Sequence, residues 1–182
     1  MLANEPASDK TLREPVKLDN DSTMDLDRVT QFLADGAMPL IRTDFSSDDA
    51  WQHVVEEVSK ESDIVGDGDG YTPNVEPISD TGFASVTPEA LVGAWPRAHH
   101  GHVILADERS MREARSDGDL TVLFIDLSAN DEDEAEFGWV FGRSFRCVAP
   151  EVAGIEANLS IANMDFTDFA DSADDDGVFR GF

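Results

Sequence analysis

Residues 145–182 read FRCVAPEVAGIEANLSIANMDFTDFADSADDDGVFRGF. The apolar residues of this stretch keep two rhythms in succession. Ile155, Ala157, Leu159 and Ile161 alternate with Glu156, Asn158, Ser160 and Ala162, the period of two that predicts a half-buried strand. From Asn163 or Asp165 onward, Met164, Phe166, Phe169, Ala170 and Ala173 fall at helical spacing behind a residue able to accept a hydrogen bond from an orphan amide, which predicts a helix start. The run Asp174-Asp175-Asp176-Gly177 is expected to stop that helix, because Gly takes the left-handed conformation at little cost. Val178 and Phe179 return apolar, so the tail through Phe182 is expected to pack. Asn158 and Asn163 need hydrogen-bond partners where buried, and local backbone groups are in reach.

Upstream, MPLIRTD (38–44) reads as the first core strand. FSSDDAW (45–51) then opens a helix with Ser46 or Ser47 as its cap and Asp48 and Asp49 in the first turn, where the helix dipole favours them. Trp51, Val54, Val55 and Val58 supply its apolar stripe. Residues 60–80 loosen into an acidic loop, in which Asp67-Gly68-Asp69-Gly70 holds only part of the order of a calcium loop. Residues 83–86 fit an edge strand or an extended approach. Thr87-Pro88-Glu89 opens a helix with Pro at its first position, Leu91, Val92 and Trp95 facing inward and Pro96 ending it. Residues 103–106 form a strand, Asp107 starts a short helix that stops near Gly118, and LTVLFIDL (120–127) is the most continuous apolar run, hence a central strand covered on both faces. Residues 130–136 form a solvated acidic loop, and 137–148 read as a strand bent at its glycines. The start of the chain is different: residues 1–22 have no apolar period and are expected to form a disordered or extended arm. Residues 24–34 make a short helix closed by Gly36.

Two blocks carry a family resemblance: PLIRTDFSSDDAW (39–51) and IEANLSIANMDFTDFA with DGVFRGF (155–182). Together they resemble the N- and C-terminal signatures of a bacterial domain family of unknown function, mostly seen in actinobacteria. The resemblance implies one domain over residues 38–182 and leaves residues 1–37 outside it, which by composition read as a flexible acidic arm with a short helix. It implies no activity and supplies no catalytic residue.

Composition narrows the classes of function. At 182 residues and 41% hydrophobic content the chain can bury one proper core and not comfortably two. No apolar run approaches the ~18 to 20 residues that cross a bilayer. The N-terminus lacks the basic start and apolar core of a signal peptide, so a cytoplasmic location is expected. The single cysteine, Cys147, excludes an internal disulfide and is expected to be a small buried hydrophobe. Asp plus Glu number 39 against 13 Lys plus Arg, a formal charge of −26. Such a chain repels nucleic acid and anionic membranes, because phosphate binding depends on Lys and Arg displacing counterions. Asp outnumbers Glu, and only Lys10, Lys17 and Lys60 are lysines. This resembles the proteins of salt-accumulating archaea, whose self-repelling surfaces are screened by concentrated salt.

Two constellations point toward chemistry. Asp44, Asp107 and Asp126 each follow a strand-like run. On parallel neighbours they would share the carboxyl edge where open α/β sheets place ligands, and could hold Mg²⁺ for phosphoryl transfer or metal-assisted hydrolysis. Helix capping explains Asp44 and Asp107 equally. His99, His100 and His102 are the only cluster of imidazoles and a candidate for zinc or nickel, although adjacent strand residues point to opposite faces. No phosphate loop, nucleophile elbow, zincin motif or dinucleotide-binding glycine set accompanies them. The expected architecture is a single α/β (or α+β) domain with a mixed, partly parallel sheet of five or six strands and packed helices. The leading functional expectation is a non-enzymatic module binding a protein partner or small ligand, of regulatory or immunity type. The alternatives are a metal-dependent hydrolase or phosphoryl-transfer enzyme built on the three aspartates, and an acidic mimic of nucleic acid.

Overall fold

A computed structural model of the chain describes residues 24–64, 66, 68–130, 136–137 and 139–182. The arm expected at 1–22, Asp67 of the calcium-like loop and residues 131–135 of the acidic loop lie outside the described residues. Among the described residues six strands form one mixed sheet in the order β2-β1-β3-β4-β5-β6: β1 (Met38–Arg42), β2 (Val75–Ile78), β3 (His102–Ala106), β4 (Thr121–Asp126), β5 (Ser144–Val148) and β6 (Val178–Phe179). β1 pairs in parallel with both β2 and β3, and β5 in parallel with β6. β4 runs antiparallel to both of its neighbours. The fold is therefore a single α/β domain in which one central strand is reversed.

Among the described residues, the α-helices α1 (Leu26–Ala34), α2 (Asp48–Val58), α3 (Pro88–Ala94), α4 (Glu108–Glu113), α5 (Val152–Ser160) and α6 (Phe166–Asp171) accompany the sheet. Alternation along each strand divides the core in two. Leu40, Ile104, Phe124, Cys147 and Phe179 face α2, α4, α5 and α6 on one side. Ile41, Ile78, Val103, Leu105 and Ile125 face α1 and α3 on the other. The first crossover, through α2, covers one face and the second, through α3, the opposite one. This places β2 and β3 on either side of β1.

Local chemistry sets most boundaries. Ser47 Oγ accepts from the Ala50 amide and Thr87 Oγ1 from the Ala90 amide, so α2 and α3 start behind hydroxyl caps. Trp51, Val54 and Val58 are buried along α2, as their spacing predicts. Cys147 is fully buried, and burial pushes its thiol well above the usual range, so it packs as a hydrophobe. Gly36, at φ +80°, closes α1, whose Val29 is fully buried against the sheet.

Several local expectations are corrected. Residues 155–160 belong to α5, which Ile161 caps, and do not form a strand. Val152, Ile155, Glu156 and Leu159 also obey helical spacing, and Val152, Ile155 and Glu156 are buried, whereas Ile161, which the strand reading turns inward, is 74% exposed. Asn158 Nδ2 donates to the Gly154 carbonyl one turn back, as a helix permits. The acidic loop of 60–80 contains β2, whose sequence VEPI is half-buried on the sheet edge, a setting that tolerates Pro77 within a strand. Residues 81–83 form a 3-10 turn and bury Phe83 completely, in place of an edge strand. The strand expected over 137–148 is confined to β5, because Gly142 at φ +81° turns the chain and gives its amide to the Asp126 carbonyl. At the C-terminus, α6 ends at Asp171, before the acidic run expected to stop it. Gly177, at φ +76°, instead turns the chain into β6. Phe179 packs with 1% exposure, while Phe182 stays 80% exposed.

Candidate functional site

The reversal of β4 decides which predicted residues meet. In the β3/β4 register His102 stands opposite Asp126, so the first residue of one strand faces the last of the other. Asp126 therefore lies on the opposite rim of the sheet from Asp44 and Asp107, and the shared three-carboxylate edge expected from parallel strands does not form. Asp44 accepts from the Ser46 amide at 2.6 Å in a tight local turn. Asp107 caps α4 through Ser110 N (3.0 Å) and Oγ (3.2 Å) and forms an ion pair with Arg146. Burial works to raise the Asp107 pKa, but the bonds from Ser110 and Arg146 outweigh it and hold the carboxyl below the usual range. This carboxylate is committed to structure. Asp44 and Asp107 do line one hollow of about 550 Å³ with Thr43, Ser85 and Glu108.

The histidines also separate. His99 and His100 are exposed, His100 Nδ1 lying 2.9 Å from the Ser128 carbonyl, while His102 turns into the protein. Among the described residues no group of three or more His, Cys, Asp or Glu side chains converges on a metal-sized space.

His102 and Asp126 instead line a cleft of about 180 Å³ with Ser128, Trp139, Met164 and Phe166. His102 Nε2 lies 3.6 Å from Asp126 Oδ1. Asp126 Oδ1 accepts from the Ser128 amide at 2.8 Å and from Ser128 Oγ at 2.5 Å, a turn fixed by Ser128 following β4 by two residues. The Phe166 ring, at the start of α6, stacks on the imidazole with centroids 5.5 Å apart and planes 4° from parallel. Burial lowers the His102 pKa, and the nearby Asp126 charge offsets only part of that effect. The imidazole is thus kept neutral, with a nitrogen able to accept a hydrogen bond.

A second hollow of about 150 Å³ shares His102 and Leu159 with the first and is lined by Met38, His100 and Glu156. Glu156 is 2% exposed and accepts from the Tyr71 hydroxyl at 2.5 Å and the Asn74 amide at 3.3 Å. Burial, together with the bond to Glu156 and its charge, pushes the Tyr71 phenol up to about 12.

Asp126 and His102 are both named by sequence reasoning, in separate constellations; Ser128, Trp139 and Phe166 are not. The available signal is that His102 immediately precedes one apolar run and Asp126 closes the next, so antiparallel pairing in register brings them together. The site is thus a perturbed imidazole beside a carboxylate in a concave, largely apolar cleft at the rim of an α/β sheet. The chain belongs to a family described as a domain of unknown function (DUF6924), whose model matches residues 37–182. No curated protein and no solved structure matches the chain.

Proposed function

We propose that this domain is a non-catalytic small-ligand-binding module, of regulatory or immunity type, whose ligand sits in the His102–Asp126 cleft. The observation that supports the reading best is the cleft's wall: two aromatic rings and Met164 around a desolvated imidazole and carboxylate. Pre-formed ligand sites combine apolar walls with a few placed polar groups in this way. Size bounds the occupant, since a cavity of about 150 Å³ takes a benzene ring and this one is about 180 Å³. A single ring or a short branched chain with one or two polar groups fits. The hydrogen-bond order favours binding over nucleophilic catalysis. Ser128 Oγ donates to Asp126, so the carboxylate stands between hydroxyl and imidazole, whereas an activated serine needs the imidazole beside it.

A fragment screen by two-dimensional amide NMR on the full chain tests the proposal. Single-ring fragments are expected to shift the Trp139 indole and the amides of Ser128 and Phe166 together, with saturation. His102→Ala is expected to weaken binding at least ~10-fold. A screen that moves none of these resonances, or moves them equally in the variant, overturns the proposal.

A further inference from the structure

The lining of the cleft is unequal in charge. Among the described residues it carries the carboxylates of Asp126 and Asp165 and no lysine or arginine. Asp126 is 3% exposed, and among the described residues its charge meets only the Ser128 donors and a neutral imidazole. The guanidinium of Arg143, on the turn whose carbonyl accepts from the Asp126 amide, is engaged by Asp171. A carboxylate taken out of water without a counter-charge is costly, and an incoming cation removes that cost. The remaining wall suits the same guest, since Trp139 and Phe166 line it and aromatic rings attract cations through the ring quadrupole. The formal charge of −26 adds a field that concentrates cations at the surface and repels anions.

We infer that the ligand of the His102–Asp126 cleft is a small organic cation, an amine on a single ring or short chain, with its ammonium against Asp126 and its apolar body against Trp139, Phe166 and Met164. This rests on the reading of the cleft as a ligand site and adds the charge of the ligand. Neutral His102 accepts a second ammonium hydrogen, and the ring stacked on it holds the imidazole in place.

Benzylamine, benzyl alcohol and benzoate share a shape and differ in charge, so they separate the two claims. Each is titrated into the full chain in 0.5 M KCl, which screens diffuse attraction to the acidic surface, with the Trp139 indole resonance as readout. Benzylamine is expected to bind at least ~10-fold more tightly than benzyl alcohol, and benzoate not measurably. Asp126→Asn keeps an oxygen for Ser128 to bond and removes the charge. It is expected to bring benzylamine down to the affinity of the alcohol, with the fold checked by its melting curve. Equal binding of amine and alcohol by the natural chain overturns the cation inference and leaves the ligand site standing, and does so even if the variant fails to fold. An amine preference that survives in a folded Asp126→Asn chain also overturns it, since the attraction then comes from elsewhere. Failure of all three probes to move the indole overturns both claims.

Discussion

Removing one hydroxyl, by Tyr71→Phe, tests how the edge of the sheet is held. Tyr71 and Ser62 exchange backbone hydrogen bonds of 2.8 and 2.9 Å, closing the loop that returns the chain to β2, and the Tyr71 hydroxyl ties that loop to Glu156 on α5 at 2.5 Å. Glu156 is 2% exposed, and its other donor, the Asn74 amide, is at a longer 3.3 Å. A hydrogen bond to a charged group contributes about 1.5–3 kcal/mol net, and a buried acceptor left short of donors bears its desolvation cost as well. Tyr71 itself is half-buried, so water compensates in part and the lower end applies: a loss of about 1.5–2 kcal/mol. Urea unfolding followed by Trp fluorescence reads this as a midpoint lowered by about 1 M at unchanged slope, given slopes of about 1–3 kcal/mol/M. The natural chain offers an independent check, because Tyr71 is its single tyrosine. After a rapid jump to alkaline pH, phenolate absorbance is expected to rise with a pKa of about 12, against 10.0 for the free phenol. A pKa raised in the folded state means stabilisation that is complete below pH 10 and is lost as pH climbs toward 12. A stability loss below about 0.5 kcal/mol, or a folded phenol titrating near 10, refutes the reasoning.

Three further outcomes are expected. Ala162→Gly relieves a left-handed residue at φ +50° that ends α5, and is expected to raise stability by about 0.5–1 kcal/mol in urea titration; an unchanged or lower midpoint contradicts it. The folded His102 pKa lies below its ordinary 6.5, so the unfolded chain takes up that proton first and stability is expected to fall as pH drops from about 6.5. His102→Gln should flatten that part of the stability profile, and an equal slope in the variant rules out His102 as its source. The formal charge of −26 predicts a melting temperature that rises between 0.1 and 1 M KCl, as the screening length shortens from about 10 to 3 Å. A melting temperature unmoved by salt counts against adaptation to concentrated salt.

Elements governed by their own residues were readable. Ser47, Thr87 and Asp107 mark the starts of α2, α3 and α4, and MPLIR and TVLFID are strands in which nearly every residue is buried, because caps and apolar runs act over a few residues. Illegibility began where two patterns overlapped or burial was partial. Residues 155–161 satisfy both periods, and only the burial of Val152 and Glu156 with the exposure of Ile161 distinguishes helix from strand. VEPI has too little apolar character to announce an edge strand, and becomes one because β1 offers it unpaired hydrogen-bonding groups.

By itself, then, the sequence determined the acidic surface, an α/β architecture, the helix caps, and the presence of a histidine and an aspartate at the ends of neighbouring apolar runs. Only the tertiary structure decided the direction of β4, and with it that Asp126 leaves Asp44 and Asp107 and joins His102, Trp139 and Phe166. Strand direction follows from which face the intervening helix covers and which edge is free to pair. These are long-range choices made by burial of the whole core, and no local stretch of residues encodes them.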